Sequence, residues 1–134
     1  MTIIESKIQQ TDCKAQELYV KLSDFNQFKE VLPEQVENFI SDTNTCSFTI
    51  KGMADVSLRI SEKIPNSKVI YSNIIDKPFP FSLVFNINQP EEDSKCTVQV
   101  SFHGDLNPML AMMAKGPLTH FVNSIAEKIA VFNF

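Results

Sequence analysis

A chain of 134 residues has the size of one domain and can build a core without disulfide staples, and 43% apolar against 21% charged residues excludes a disordered chain. Sixteen acidic against twelve basic residues leave a net charge of −4 with no Lys/Arg run, which argues against nucleic acid and anionic membranes as partners. No apolar run approaches the ~18 residues of a membrane span, so no membrane insertion is expected.

Cys13, Cys46 and Cys96 are odd in number and far apart, which suits buried reduced thiols in a reducing cytoplasm better than a disulfide framework or zinc site. Glu5 interrupts the opening run before any signal-type apolar block develops, and no repeat or linker follows. The chain therefore reads as one unexported, cytoplasmic domain over residues 1–134.

Ile4, Ser6 and Ile8 alternate with Glu5 and Lys7, the period of a strand with one buried face, ending near Gln9. Thr11 or Asp12 can cap a short helix with Ala15, Leu18, Tyr19 and Leu22 on one side. Asp24, with Gln27 three residues on, predicts a capping box for a second short helix carrying Phe25, Phe28 and Leu32 and stopped by Pro33.

From Val36 to Leu106 the period is two, broken by turn residues every ten or so positions, which predicts a run of antiparallel strands. Turns fall at Asp42 to Asn44, Pro65-Asn66-Ser67, Pro78 with Pro80, and Pro90 to Ser94, with a bend at Gly52. The dry face takes Cys46, Phe48, Ile50, Val56, Leu58, Ile60, Phe81, Leu83, Phe85, Ile87, Cys96, Val98, Val100 and Phe102. Between Val69 and Ile75 both faces carry apolar residues, and the pattern leaves open whether Tyr71 and Asn73 or Ile70 and Ile74 point inward. Asn107-Pro108 then starts a long helix whose Leu110, Ala114, Leu118, Phe121, Ile125, Ile129 and Phe132 trace one side.

This order, with Ala15-Gln16-Glu17-Leu18-Tyr19, Leu22-Ser23-Asp24 and Leu32-Pro33 as its helix, turn and helix exit, resembles the START-like (SRPBCC) superfamily, which includes birch pollen allergen relatives and bacterial polyketide cyclase-like proteins. The resemblance covers essentially the whole chain. It implies an α+β helix-grip fold, a curved antiparallel sheet of about seven strands around a long C-terminal helix, with two short helices after the first strand. It also implies a lipophilic cavity between sheet and helix. Phe28 stands where many bacterial relatives carry Trp, and Asp42-Thr43-Asn44-Thr45 lacks the glycines of the plant branch, so plant-type ligand chemistry is not implied.

Phe28, Tyr71, Asn73, Phe85, Phe102, Met113 and Phe121 are the candidate cavity lining. Met109 and Met112, on the flanks of the last helix ahead of Gly116-Pro117, and Phe79, set between prolines, are the candidate gate. His103 and Asp105 share a strand face and could pair as base and orienter, yet their parity puts them outside; His120 and the Asp55–Arg59 pair also read as solvated. No catalytic residue, metal site or cofactor motif stands out.

The composition of the inner face favours a binder or carrier of a small lipophilic molecule. Two alternatives remain: a polyketide cyclase-like or hydratase-like enzyme using Tyr71 or Asn73, and a protein-interaction module with a filled interior. In the last reading the Met-rich helix start docks a partner or forms a homodimer.

Overall fold

The computed structural model of the chain describes residues 1–75 and 79–131. Strands β1 (Thr2–Glu5) and β2 (Gln9–Thr11) precede helices α1 (Ala15–Leu22) and α2 (Phe25–Phe28) and a 3-10 turn at Lys29–Val31. Strands β3 (Val36–Ser41), β4 (Thr45–Ile50), β5 (Ala54–Ile64), β6 (Lys68–Asn73), β7 (Phe81–Asn88) and β8 (Cys96–Gly104) follow, and α3 (Pro108–Val131) closes the fold. The predicted turn at Pro78 and helix position Phe132 lie outside the described residues.

All the strands pair antiparallel in one sheet of order β1-β8-β7-β6-β5-β4-β3, with β2 also on β8. The sheet's dry face packs against α3, which buries Ala114, Leu118, Phe121, Val122, Ile125, Ala126 and Ile129. The α+β helix-grip architecture expected from the element order is the one observed. In β6, where the sequence puts apolar residues on both faces, Val69, Tyr71 and Asn73 face inward, and Ile74 and Ile75 beyond it are exposed.

The first predicted strand is in fact two. Glu5 pairs with Ser101 and Gln9 with Val98, so three residues, 6–8, oppose two on β8. Such a bulge reverses the parity that follows it, which is why Ile8 is exposed rather than buried. Ser6 fixes the bulge by accepting the Val100 N–H on its hydroxyl at 3.0 Å while its own N–H donates to the Val100 carbonyl at 2.8 Å.

Helix α1 starts at Ala15 with Lys14 as its N-cap, later than the Thr11 or Asp12 cap predicted, and its first turn is held both by Glu17, which accepts the Lys14 N–H, and from far along the chain. The Ala15 N–H donates to the side-chain oxygen of Gln89 at 2.8 Å. Asp24 caps α2 as expected, accepting the Asn26 N–H at 2.9 Å, and Asn107 accepts the Leu110 N–H at 2.8 Å at the start of α3.

Candidate functional site

The space between sheet and helix has two ends of different character. Under α1 and α2 it is solid. Tyr71 lies against Phe25, Phe28 and Phe85 at ring-centroid distances of 4.5, 5.1 and 4.9 Å, and Phe28 meets Phe85 at 5.8 Å. The Tyr71 hydroxyl donates to the Leu22 carbonyl at 2.6 Å, and burial raises its pKa well above the ordinary phenol value, so it stays a neutral donor. Phe28, Tyr71 and Phe85, expected to line a cavity, therefore pack on one another as an aromatic plug and are not among the residues that line the apolar void at the other end.

Asn73 is equally committed. Its amide nitrogen donates to the Phe79 carbonyl at 2.8 Å and its side-chain oxygen accepts the Phe81 N–H at 3.1 Å, which staples the connection between β6 and β7. It supports a wall rather than presenting a group to a guest.

At the other end lies a void of about 20 Å³ whose lining is wholly apolar: Ile50, Met53, Ala54, Val56, Phe79, Phe81, Leu83, Phe102, Leu118 and Phe121. It has room for roughly one water-sized sphere. Strand pairing gathers three connections around it. Phe81 pairs with Gly104, which brings the β6–β7 connection to the β8–α3 junction, and Ile50 pairs with Ala54 across the Gly52 turn, where φ is +76°. The Ile74 N–H donates to the Ser57 carbonyl at 2.8 Å, drawing that turn to the same end.

The void is shaped by Phe102, whose ring stacks on Phe81 at 5.4 Å and meets Phe79 edge-on at 6.0 Å. Gly104 makes this possible, since a Cβ there would stand 2.5 Å from the Phe102 ring.

No family model and no curated protein matches the sequence. Solved structures do match its backbone. XoxI from Bacillus cereus aligns over 97% of this chain and 94% of its own at 11% identity and a TM-score of 0.74. A START superfamily protein from Mycobacterium smegmatis aligns over 95% and 96% at 13% identity and 0.67, and the Aha1 dimer from Colwellia psychrerythraea over 98% and 98% at 15% and 0.63. The chain has the START-like helix-grip fold.

Within this helix-grip fold the void, lined by sheet residues and by Leu118 and Phe121 of α3, is far smaller than a ligand pocket and does not test the lipophilic cavity that the resemblance implied. Of the predicted lining only Phe102 and Phe121 border it, joined by the predicted gate residue Phe79. Ile50, Val56, Phe81 and Leu83 had the right strand parity to be chosen; what the sequence did not show was which end of the sheet keeps a void. Met53 and Ala54 sit at a turn where parity is silent.

Met113 is corrected from lining to surface: it is 71% exposed, five residues and therefore about 140° from Leu118 on the helix. Met109 and Met112 are exposed as well. Nothing in the described structure covers these three, and Ile74 and Ile75, just after β6, are exposed as well. Pro117 denies an N–H to the Met113 carbonyl, and ahead of it only Ala114 of α3 is buried. The helix is thus firmly held after Pro117 and loosely held before it.

The remaining polar candidates stay outside. His103 pairs with Ser82 and Ile3 on the outer face of the sheet, and Asp55 accepts the Thr49 hydroxyl at 2.6 Å rather than meeting Arg59. His120 borders two solvent-open grooves of about 380 and 670 Å³ on the outer side of α3. Among the described residues no cluster of His, Cys, Asp or Glu could hold a metal, and no helix is long and apolar enough to cross a membrane. Cys46 is buried, and desolvation pushes its thiol up to about 12.

Proposed function

We propose that the chain binds a small lipophilic molecule between the sheet and α3, admitting it at the end framed by the Gly52 turn, Phe79 and the first turns of α3. The observation that carries this reading is the wholly apolar void lined by Phe102, Leu118 and Phe121. Its 20 Å³ is well below the roughly 300 Å³ of a small ligand pocket, so binding requires the sheet and α3 to move apart. The weakly buried helix segment 108–116 supports such an opening, because a segment with few core contacts separates at low cost. A cytoplasmic carrier suits the three thiols and the −4 charge.

The enzyme alternatives, cyclase-like or hydratase-like, draw less support, because Tyr71 and Asn73 spend their polar atoms on backbone partners. The interaction-module reading keeps one specific observation in its favour: a nearly filled interior beneath three exposed methionines. The Colwellia neighbour, described as a dimer, makes a homodimer one form of that reading.

Native mass spectrometry of freshly purified protein, then thermal unfolding across a library of lipophilic molecules, separates these. A co-purifying lipophile, or a rise in Tm that grows with ligand concentration, is the expected result. An empty protein that responds to nothing in the library defeats the carrier reading, and a dimer dispersed by Met109→Glu with Met113→Glu would establish the interaction module in its place.

A further inference from the structure

Cys13 and Cys96 are 83 positions apart in sequence, yet the fold brings them to one place. Strand β2 pairs with the start of β8 so that Thr11 faces Cys96. The chain bends just after Thr11, where the Cys13 N–H donates to the Thr11 hydroxyl oxygen at 3.2 Å. Both cysteines then line a single hollow of about 160 Å³, together with Asp12, Lys14, Gln89, Asp93 and Lys95. Both are thiols, and desolvation, with a smaller electrostatic contribution from the neighbouring Cys13, raises the Cys96 pKa. Cys46 lies on β4 and does not border this hollow.

The hollow is held by its own contacts. Gln89 donates to the Glu92 and Ser94 carbonyls at 3.1 Å each, the Lys14 ammonium donates to the Glu92 carbonyl at 2.7 Å, and Lys95 pairs with Asp12 at 2.8 Å. The β7–β8 connection is thereby fastened over the bend that carries Cys13. This end of the sheet is opposite the void, which lies where β8 finishes at Gly104.

We propose that Cys13 and Cys96 form an intramolecular disulfide, making this hollow a redox modification site. The oxidant is a low-molecular-weight disulfide of the glutathione type. The Cys13 thiolate attacks one of its sulfurs, the sulfur–sulfur bond breaks, and one small thiolate leaves with the electron pair. Cys96 then gives up its proton to water and attacks the Cys13 sulfur, releasing the second small thiolate. Two protein thiols are oxidised and one small disulfide is reduced to two thiols. The product ties the bend before α1 to the start of β8, a cross-link that restricts the unfolded chain.

The test incubates the whole native chain with oxidised glutathione, alkylates the remaining thiols and maps peptides by mass. The expected products are a monomer with Cys13 joined to Cys96 and an alkylated Cys46, with a higher Tm than the reduced chain. Cys46→Ser should give the same cross-link, and Cys96→Ser should stop at glutathione held on Cys13. Recovery of both Cys13 and Cys96 as alkylated thiols, stable glutathione on Cys13 in the unsubstituted chain, or a cross-link formed only in urea overturns the proposal. Because the void is at the other end, none of these outcomes depends on lipophile binding.

Discussion

The Tyr71 hydroxyl and the Leu22 carbonyl, joined at 2.6 Å, tie the middle of the sheet to the last turn of α1. A carbonyl at a helix end has lost its intrahelical partner, and burial denies it water, so Tyr71 supplies what the helix cannot. Tyr71→Phe keeps the ring packing against Phe25, Phe28 and Phe85 and removes only the donor. The expected cost is about 1–3 kcal/mol in urea unfolding, with binding of any lipophilic ligand unchanged. Loss of binding at unaltered stability would instead give the hydroxyl a role toward the ligand.

Asn73 supports a parallel prediction at the mouth. Asn73→Ala strands the Phe81 N–H, which is buried, and frees the Phe79 carbonyl. Stability should fall by roughly 1–3 kcal/mol. Hydrogen exchange at the Phe81 amide should accelerate more than exchange in the centre of β8, and uptake of a lipophilic probe should become faster. Equal acceleration everywhere would mean that the side chain serves global stability and does not hold the mouth.

Strand parity and helix periodicity were legible because burial on one face imposes them: Phe48, Leu58, Leu83 and Val100 are inside, as alternation requires. The bulge at residues 6–8 was not legible. It depends on Ser6 meeting Val100 across the sheet, a contact 94 positions away in sequence, and it sends Ile8 outward. The start of α1 was not legible in part for the same reason, since the Ala15 N–H is satisfied by Gln89, 74 positions away. For the site, sequence showed that Tyr71, Asn73 and Phe85 could be interior but not that they would be consumed by packing and backbone contacts. Composition could say that the inner face is apolar; only tertiary packing decides how much of that volume is left empty.

Gly104 and Phe102 offer a way to change that volume. A methyl at position 104 would meet the Phe102 ring at 2.5 Å, so Gly104→Ala must move the ring, and the adjoining void is the nearest space that can take it. Overpacking of this kind costs about 1–3 kcal/mol. Phe102→Ala should cost more, about 3–5 kcal/mol, while opening an apolar cavity. That cavity should bind benzene or xenon, seen as ligand-dependent stabilisation that the parent chain lacks. A Phe102→Ala chain of near-parent stability, with no such response, would mean that the surrounding walls collapse into the gap.

Acid sensitivity should trace in part to Asp42. Its carboxylate accepts the Asn44 and Thr45 N–H groups at 2.8 Å each and the Thr45 hydroxyl at 3.0 Å, and these bonds, the Asn44 one foremost, lower its pKa below the ordinary aspartate value. A depressed folded-state pKa means that the unfolded chain takes up the proton first as pH falls. The contribution to stability is therefore complete above the unfolded-state value and is lost as pH drops through the lower folded-state one. Asp42→Asn should reduce stability at neutral pH and flatten this part of the acid limb in urea midpoints. Asp12, lowered by its bond to Lys95, is the natural control. Salt should weaken the exposed Asp12–Lys95 pair and leave the Asp42 effect nearly intact, because the donors at Asp42 are neutral. An Asp42 effect that disappeared with salt as fully as that of Asp12 would point to distant charges rather than to the turn.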